Sequence, residues 1–527
     1  MTKYLINRIL RALISVIIVV GVIMVMVYTF LNKQSIFATD PVFTKQKLNA
    51  QETYMMQQWE LFGYLDYVNY TDFMKEQLRA GNIDEESYND AVRLGKHEDG
   101  SSDSELTAEW VQKFIEKYED EEGYEVKRLP GQTKGKTKKY KDGGDPRMYA
   151  FKDIPLSKRL VSYFTDLIRI DNINYATGDV GERGLTFTWH DPAYGGEKFS
   201  PAIMGNGTMH KYLLYCNDKF PFIHQNLITI NLGKSFSVNQ GIDVFDTMTK
   251  AQGGFHNSTV TYPSGVVEET ADDLHTLTYM EGSLSLSSMN QKYYVDDYTM
   301  VNTAKDGLSK MGYSFVIGII SVILAYMVAM PLGVLMALKK DKLIDKLGTF
   351  YIVFIMAVPS LGYIFIFRAI GNKLGLPTTF NMENPTTLMY VLPIISLALP
   401  SIANQMKWLR RYMIDQMNSD YVKFARSGGL SEGEIFSKHI LKNAIIPVVH
   451  GIPAAVLFAL TGAIITERVY LVPGIGNVLT TAINAYDNGV IVGVTLFYAV
   501  ISVTAVILGD VLMSMMDPRI SFTTKAR

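Results

Sequence analysis

Cysteine is nearly absent from this chain, which has one, Cys216, in 527 residues. A single thiol excludes an internal disulfide, so each folded part must be held by packing, even outside the cell. Catalytic motifs are absent too: there is no nucleophile elbow and no His-Glu-x-x-His. Pro130 stands where the Gly135-Lys136-Thr137 triplet would need the first glycine of a phosphate-binding loop. We therefore predict that the chain is not an enzyme, has no cofactor of its own and does not hydrolyse ATP by itself.

An excess of charge of either sign is also lacking, since 50 basic and 52 acidic side chains give a net charge of −2. The densest basic run, Lys134 to Lys141, invites a nucleic-acid interpretation, but like-charge runs of this kind are usually solvated loops. His190, His210 and His224 lack a close ligand spacing such as His-x-x-x-His. The sequence predicts neither a nucleic-acid partner nor a metal site.

Apolar sequence is abundant, at 48% of residues, and it is concentrated in long runs. A run of about 20 apolar residues is long enough for a helix to cross a hydrocarbon core of about 30 Å. Pro359, Pro393, Pro400 and Pro453 interrupt the third, fourth and fifth of the runs given below, which is tolerated where neighbouring helices or a water-lined cavity satisfy the freed carbonyls. The sequence predicts six transmembrane helices, at about 9–31, 311–338, 348–370, 388–403, 448–466 and 490–516.

Lysine and arginine are distributed unevenly between the segments that join these runs. They precede the first run, follow the last, and fill the segments after the second and fourth runs, whereas Lys373 and Arg468 are the chief ones in the other short loops. Because positive residues mark the cytoplasmic side, both termini are predicted to be cytoplasmic. The chain then divides into residues 1–31, an extracellular insertion at 32–300, and a core at 301–527.

The insertion, at roughly 270 residues, is long enough to bury its own hydrophobic core. Its charged first half predicts helices near 52–70 and 105–118, and strands are predicted near 212–215, 227–232 and 258–262. The expected fold class is therefore an all-α polytopic membrane domain with a large α+β extracellular insertion between its first and second helices.

A polar, glycine-broken segment, residues 420–448, lies between the fourth and fifth runs. Ser431 and Glu434 have the Ser-x-x-Glu spacing of a capping box, which starts a helix by satisfying two backbone N–H groups. Gly428 and Gly429 before it permit a sharp turn. The helix that follows is expected to dock in a groove on a partner through a face formed by Ile435, Phe436, His439 and Ile440.

This segment resembles the EAA loop of ABC-importer permeases, in the variant of oligopeptide and dipeptide permeases. The resemblance rests on Phe424-Ala425-Arg426-Ser427-Gly428-Gly429-Leu430-Ser431, Lys438-His439, and Leu441-Lys442-Asn443-Ala444 with Pro447. In that family the loop forms the coupling helix, which sits in a cleft of the cytoplasmic ATPase. Lys423-Phe424 stands where the broader superfamily has Glu-Ala, and Lys442 where it has Pro. The resemblance implies a coupling loop at 404–447, with coupling residues Ala425, Arg426, Gly429, Leu430, Ser431, Glu434, Ile435, Phe436 and His439.

Similar motifs continue along the chain. The oligopeptide-permease pattern is matched by Thr466-Glu467-Arg468-Val469-Tyr470, Pro473-Gly474-Ile475-Gly476 and Asp517-Pro518-Arg519-Ile520. The Ami/Opp-type permease subunit of Gram-positive bacteria has a large insertion after its first span. The present insertion is similar to it at Asn206-Gly207-Thr208, His210-Lys211-Tyr212-Leu213-Leu214-Tyr215, Phe220-Pro221-Phe222 and His224-Gln225-Asn226.

This resemblance implies a type I ABC-importer permease fold and a subunit that forms half of the membrane pathway for oligopeptide uptake. The partners it implies are a second homologous permease, two cytoplasmic ABC ATPases that carry ATP and magnesium, an extracellular lipid-anchored peptide-binding protein, the oligopeptide itself and the lipid bilayer. The location it implies is the bacterial cell membrane.

Three ionisable residues within or beside the predicted spans, Arg368, Glu467 and Asp510, are candidates for the pathway or its gate. Arg368 and Glu467 fall near the outer boundary, where they would either gate the mouth or snorkel to the interface. Asp510 lies roughly 10 Å inside the last span, where a structural ion pair is the alternative to substrate contact. Two other functions stay open at this point: import of nickel or another small solute, and a membrane-anchored receptor that binds a ligand outside.

Overall fold

A bundle of apolar helices carries a mixed helix-and-strand insertion. The computed structural model describes residues 2–95, 103–131, 133–134, 139–140, 145–176, 180–191, 196–216, 223–237, 240–253, 258–261, 267–270, 275, 278–279, 298–300, 307–382 and 386–516. Two predicted motifs, Phe220-Pro221-Phe222 and Asp517-Pro518-Arg519-Ile520, lie outside these residues.

Five helices in the described part of the chain are long and apolar enough to cross a membrane. They are Thr2–Phe30, Lys310–Leu338, Val391–Met417, Ile452–Tyr470 and Asn488–Met516. Shorter helices complete the bundle at Thr387–Tyr390, Asp420–Ser427, Glu432–Glu434, Ile435–Leu441, Lys442–His450 and Ile475–Asn484.

The predicted third span is not one helix, which corrects the sequence interpretation. It forms Leu343–Ala357 and Ser360–Lys373, whose axes differ by 110°. Pro359 has no N–H and disfavours a helical Val358, which adopts an extended backbone instead. The described residues therefore contain six candidate membrane spans only if this bent pair of helices is counted as one span.

Close helix packing in the bundle depends on small residues. A Cβ added at Gly333 would lie 3.1 Å from the Leu409 side chain, and one at Gly318 would lie 3.1 Å from Leu460. Ala325 and Ala329 on the same helix are fully buried. Small residues allow helix backbones to approach where lipid gives no hydrophobic driving force for association. Lys310–Leu338 thereby packs closely against Val391–Met417 and Ile452–Tyr470.

The first half of the insertion is built on a three-stranded antiparallel sheet. Arg147–Asp153 is its central strand, between Leu65–Asn69 and Glu125–Leu129. Helices of this half are Pro41–Lys45, Asn49–Leu61, Tyr70–Arg79, Glu85–Ala91, Glu105–Ile115 and Leu156–Thr165, with single turns at Ser35–Thr39 and Glu116–Glu121. The prediction of one helix at 52–70 is wrong, because 65–69 pairs with a strand distant in sequence.

The second half of the insertion contains a four-stranded antiparallel sheet, ordered Ile223–Gln225, Tyr212–Cys216, Ala202–Asn206 and Gly184–Thr188. Shorter strands are Thr133–Lys134, Lys139–Tyr140, Ile168–Ile170, Ile228–Ile230, Ser258–Thr261, Val267–Thr270, Thr278–Tyr279 and Tyr298–Met300, and a helix spans Val244–Thr249. Predicted strands near 212–215, 227–232 and 258–262 are confirmed, and the insertion contains both helices and strands as expected.

The insertion is fixed to one end of the last helix by a buried carboxylate. Asp487, fully buried just before that helix begins, accepts hydrogen bonds from the Ser235 and Ser237 hydroxyls at 3.0 Å. The backbone N–H groups of Phe236 and Ser237 donate to the same oxygen at 2.8 Å. Gly489 follows, where a Cβ would lie 2.2 Å from the Lys234 carbonyl oxygen. The insertion backbone therefore contacts the helix start directly.

The first helix joins the insertion through stacked side chains. The Arg159 guanidinium lies 4.4 Å from the Tyr64 ring centroid and 5.2 Å from that of Tyr28, near the end of the first helix. Arg159 also donates to the Tyr64 carbonyl at 2.7 Å, and the Asn488 amide bonds the Tyr64 hydroxyl. Cation–π contacts of this kind strengthen when desolvated. The insertion thus contacts both the first and last helices.

Candidate functional site

The capping box predicted in the 420–448 segment is present. The Ser431 hydroxyl accepts from the Glu434 N–H, and the Glu434 carboxylate accepts from the Ser431 N–H, both at 3.4 Å. The Ser431 hydroxyl also donates to the Glu434 carboxylate at 3.0 Å, and this bond, with that from the Ser431 N–H, lowers the pKa of the Glu434 carboxyl. The two bonds from backbone N–H groups satisfy donors that a helix start leaves unpaired. The sequence spacing alone therefore placed the start of this helix.

The turn before the box is held by a glycine and an ion pair. Gly429 has a φ of +82°, in the region that side-chain-bearing residues rarely adopt. Across this turn, Arg426 donates to both oxygens of Glu432, with Nε–Oε1 at 2.5 Å and Nη2–Oε2 at 3.0 Å. The hydrogen bond and charge of Arg426 lower the pKa of the Glu432 carboxyl. A bidentate pair fixes the relative orientation of the two short helices it joins.

The inner face of this loop packs against its own chain. Ile435 and Ile440 are buried in one cluster with Val422, Ala425 and Leu409. The segment Ile435–Leu441 is wound as a π-helix, which turns both isoleucines inward. The expectation that Ile435 and Ile440 form a docking face is therefore wrong. They hold the loop to the ends of the neighbouring long helices instead.

The outer face carries a residue that the sequence interpretation left out of its site. Phe424 is 80% exposed, and Leu430 beside the glycine turn is 40% exposed. Arg426, Gly429 and Ser431 share this exposed surface, whereas Phe436 is half-buried. Phe424 and Leu430 together form the exposed apolar part of this loop. The sequence could have pointed to this residue, because Phe424 stands where the broader superfamily has alanine.

His439 has a structural role in the loop. Its carbonyl accepts from the Asn443 amide at 2.8 Å and from the Tyr421 hydroxyl at 3.2 Å. The Asn443 amide also donates to that hydroxyl at 3.0 Å. The His439 ring is half-buried, 6.4 Å from the Tyr421 ring centroid. These contacts brace Asp420–Ser427 against the π-helix.

The loop and the insertion lie at opposite ends of the last helix. Asp510, near the C-terminal end of this 29-residue helix, pairs with Arg8 at 2.8 Å and with His450 at 3.7 Å. His450 directly follows the loop, and Arg8 belongs to the first turns of the first helix. Asp487, at the other end, holds the insertion. A helix of 29 residues is about 44 Å long. Asp510 therefore forms ion pairs, as one alternative predicted.

Glu467 is buried inside the bundle and ties three helices together. It is 1% exposed, accepts from the Ser314 hydroxyl at 2.6 Å and accepts from the Asn477 N–H at 3.1 Å. A Cβ at Gly474 would lie 2.2 Å from its carboxyl carbon. This close approach explains why the Pro-Gly-Ile-Gly motif needs glycine. The alternative that Glu467 snorkels to an interface is wrong.

Arg368, another gate candidate, is half-buried on the helix Ser360–Lys373, and its charge acts on the Tyr470 hydroxyl.

A groove of about 460 Å³ opens on the bundle surface between Ser360–Lys373, Val391–Met417 and Ile452–Tyr470. Pro400 lies on its wall, so one of the predicted helix interruptions does border a cavity. None of the three gate candidates lies on this wall. The sequence interpretation missed the groove because it looked for ionisable residues, and the residues that line the groove are uncharged.

Two histidines of the insertion, His210 and His275, contact carboxylates. Asp171 accepts from the backbone N–H groups of Met209 and His210 at 2.7 and 2.8 Å, and it lies 3.3 Å from the His210 ring. His275 contacts the buried Asp191 at 2.6 Å. Within the described part of the chain, no three His, Cys, Asp or Glu side chains are grouped closely enough to hold a metal ion.

Comparison with known proteins gives a family match and a full-length relative. Residues 329–522 match the family described as "binding-protein-dependent transport system inner membrane component". The oligopeptide transport system permease protein AmiC of Streptococcus pneumoniae is 34% identical over 532 residues, covering 100% of this chain and 99% of AmiC. The insertion is therefore part of the matched length.

Shorter relatives share less of the chain. The dipeptide transport system permease protein DppB of Bacillus subtilis is 31% identical over 215 residues, which covers 40% of this chain and 68% of DppB. These relatives are named as permease components of transport systems, the role that the sequence predicted. The resemblance read from the loop motifs is confirmed. The chain belongs to the family of inner-membrane permease components of binding-protein-dependent transport systems, in the branch that contains AmiC.

Proposed function

We propose that this chain is a permease subunit of an ATP-driven importer and forms half of the membrane pathway for oligopeptides. One observation carries the proposal: 34% identity to a named oligopeptide permease along the whole chain, including the insertion. Import of nickel and a receptor role are not favoured, because the full-length and partial relatives are named for peptides.

The proposed assembly contains a second homologous permease, two cytoplasmic ATPases and an extracellular lipid-anchored peptide-binding protein. In this arrangement ATP and magnesium bind to the ATPases, while this chain supplies no cofactor site. ATP-driven closure of the ATPases would move the coupling loops and reorient the helices. The pathway would then open alternately to the two sides of the bilayer.

The proposed topology puts both termini and the 404–447 loop in the cytoplasm and the insertion outside a bacterial cell, with six crossings when the bent pair counts as one. The positions of Asp487 and Asp510 near opposite ends of one helix support this arrangement, because they separate the insertion from the loop by roughly the thickness of a bilayer. The Lys and Arg residues beside the loop support its cytoplasmic assignment.

Coupling to the ATPase would use the exposed face of the loop. Phe424 is the anchor we propose, with Arg426, Leu430 and Ser431 around it. The buried cluster beneath, the capping box and the Arg426–Glu432 pair would transmit the movement, because they make the loop rigid. Ala425, Ile435, Phe436 and His439 then act from within the loop rather than at its surface.

The insertion would receive peptide from the binding protein, or it would cover the pathway while peptide passes from the binding protein to the permease. The insertion contacts the end of the first helix and the start of the last helix, so a movement of either helix would also move the insertion. These contacts support either use. Deleting 32–300 behind a short flexible linker should preserve assembly with the partners and abolish peptide uptake. Normal uptake by that deletion variant would contradict this role.

The coupling proposal is tested with the assembled transporter in liposomes. Phe424→Asp should leave assembly intact and abolish peptide-stimulated ATP hydrolysis, since an unpaired charge at a docking surface costs several kcal/mol. Leu343→Asp is the matched control, because Leu343 is comparably exposed, at 70%, but lies outside the loop and before the predicted span at 348–370. Equal stimulation of the wild type and the Phe424→Asp variant would remove Phe424 from the coupling surface.

A further inference from the structure

The groove beside Pro400 combines an uncharged lining with several polar side chains. Its lining residues all lie in the described part of the chain, and no Asp, Glu, Lys, Arg or His is among them. Polar groups on the wall are hydroxyls and primary amides, contributed by Ser360, Ser396, Ser401, Asn404, Gln405 and Thr466. Tyr363, Trp408 and Tyr412 supply aromatic rings. The wall therefore combines neutral hydrogen-bonding groups with flat apolar surfaces.

Two amides on this wall have unused hydrogen-bonding capacity. Gln405 is 91% buried, borders the groove and forms no side-chain hydrogen bond with any described residue. Asn404 is exposed at the groove and is likewise without a partner among the described residues. A primary amide offers two donors and an acceptor oxygen, and buried amides normally have partners. Gln405 thus lies on the wall of this cavity with an amide that has no hydrogen-bond partner among the described residues.

The ligand that matches this pattern is a peptide main chain. Its N–H and C=O groups are neutral and alternate, so a side-chain amide can bond both at once. A metal ion would need carboxylate, imidazole or thiolate ligands, and the wall has none of these. The aromatic rings accommodate side chains of differing shape without selecting their charge.

We propose that this groove is the peptide-contacting wall of the pathway, in which Asn404 and Gln405 hydrogen-bond the peptide main chain and the neutral lining makes import indifferent to the charge of peptide side chains. This inference rests on the proposed function, since it assumes that oligopeptides pass through this subunit.

The test uses the complete transporter with its partners in liposomes. Three peptides of equal length compete for uptake, one with a central Asp, one with a central Lys and one with a central Ala. Asn404→Asp introduces a carboxylate on the wall, which should favour the basic over the acidic peptide by roughly tenfold through Coulomb interaction in a partly desolvated site. The wild type should take up all three at rates within about twofold of one another.

Matched variants separate a local effect from a general one. Asn418→Asp makes the same chemical change at the C-terminal cap of the same helix, outside the groove, and should leave the peptide preference unchanged. Asn404→Gln keeps the wall neutral and should retain the wild-type preference. Gln405→Leu removes the buried amide and should raise the KM for all three peptides by about tenfold, with kcat less affected.

Several outcomes would overturn the inference. If Asn404→Asp and Asn418→Asp give the same peptide preference, the wall does not contact peptide. If Gln405→Leu raises the thermal stability without changing KM, the amide holds only water or lipid. A wild-type transporter that imports none of the peptides contradicts the proposed function itself, whereas peptide import with unaltered variant preferences contradicts only the assignment of the groove.

Discussion

Two polar clusters near opposite ends of the same helix are built in contrasting ways. At the insertion, Asp487 is fully buried and accepts four hydrogen bonds on one oxygen from residues about 250 positions earlier in the chain. In the coupling loop, Ser431 bonds Glu434 and Arg426 bonds Glu432, all within a few residues and largely exposed. The first cluster joins two parts of the molecule; the second shapes one short segment.

The two clusters differ because one is buried and the other is exposed to water. A buried carboxylate loses its hydration and must be satisfied by protein donors, so its removal leaves several donors unpaired. Exposed pairs exchange freely with water and contribute little stability. The exposed pairs can therefore shape the loop while adding little to the folding stability of the protein. We therefore expect a substitution at Asp487 to cost more stability than a substitution in the loop.

The largest effect is expected at the junction. Asp487→Ala would leave the Ser235, Phe236 and Ser237 donors without their acceptor, at a cost of about 3–5 kcal/mol. Limited proteolysis should then cleave the insertion far faster, while the bundle stays folded. Asp420→Ala, at a fully exposed carboxylate, should leave the cleavage rate unchanged. Equal protection of the wild type and the Asp487→Ala variant would show that the junction is held by apolar packing alone.

An intermediate effect is expected inside the insertion. Burial raises the pKa of the Asp171 carboxyl, but hydrogen bonds from His210 and Met209 outweigh it and lower that pKa overall. A lowered folded-state pKa adds stability that is present above the ordinary value of about 3.9 and is lost as the pH falls through the folded-state pKa.

Asp171→Asn removes this ionisation and should reduce stability at neutral pH by about 1–2 kcal/mol. The melting temperature of the wild type should fall more than that of the variant between about pH 5 and pH 3, because only the wild type loses the Asp171 contribution. Parallel curves for the two proteins over this range would mean that Asp171 titrates alike in the folded and unfolded states.

The smallest effect is expected in the coupling loop. Ser431→Ala removes the cap of a short helix and should cost about 1 kcal/mol locally. Hydrogen exchange of the amides at 432–438 should speed up by about fivefold, while exchange elsewhere stays the same. Ser431→Asp retains a capping acceptor and should exchange at nearly the wild-type rate. Unchanged exchange in Ser431→Ala would show that the buried Ile435 and Ile440, rather than the cap, hold this helix.

Local features were predictable from the sequence. The capping box depends on a three-residue spacing, and the glycine turn depends on the preference of one residue type for positive φ. The strand at 212–216 follows from composition and turn residues. Family membership could be read from motifs such as those between Phe424 and Pro447, since each is a contiguous run of residues. Such features are visible wherever the interacting groups are near neighbours in the chain.

Other features depended on partners distant in the sequence. Residues 65–69 continue a helical pattern, but pairing with Arg147–Asp153 makes them a strand. The apolar stripe after Ser431 suggested a docking face, yet the π-helix and the cluster around Leu409 turn Ile435 inward. Hydropathy gave one span at 348–370 without indicating that the helices on either side of Pro359 diverge by 110°.

The sequence by itself determined that this chain has long apolar helices, a mixed insertion and a capped polar loop, because hydrophobic run length, residue pattern and short spacings act locally. Tertiary structure alone decided which face of the loop is exposed, where Asp487 and Glu467 find their donors, and that neutral amides gather around one groove. Those outcomes depend on which helices pack together, and side chains hundreds of residues apart become neighbours only when the whole chain has folded.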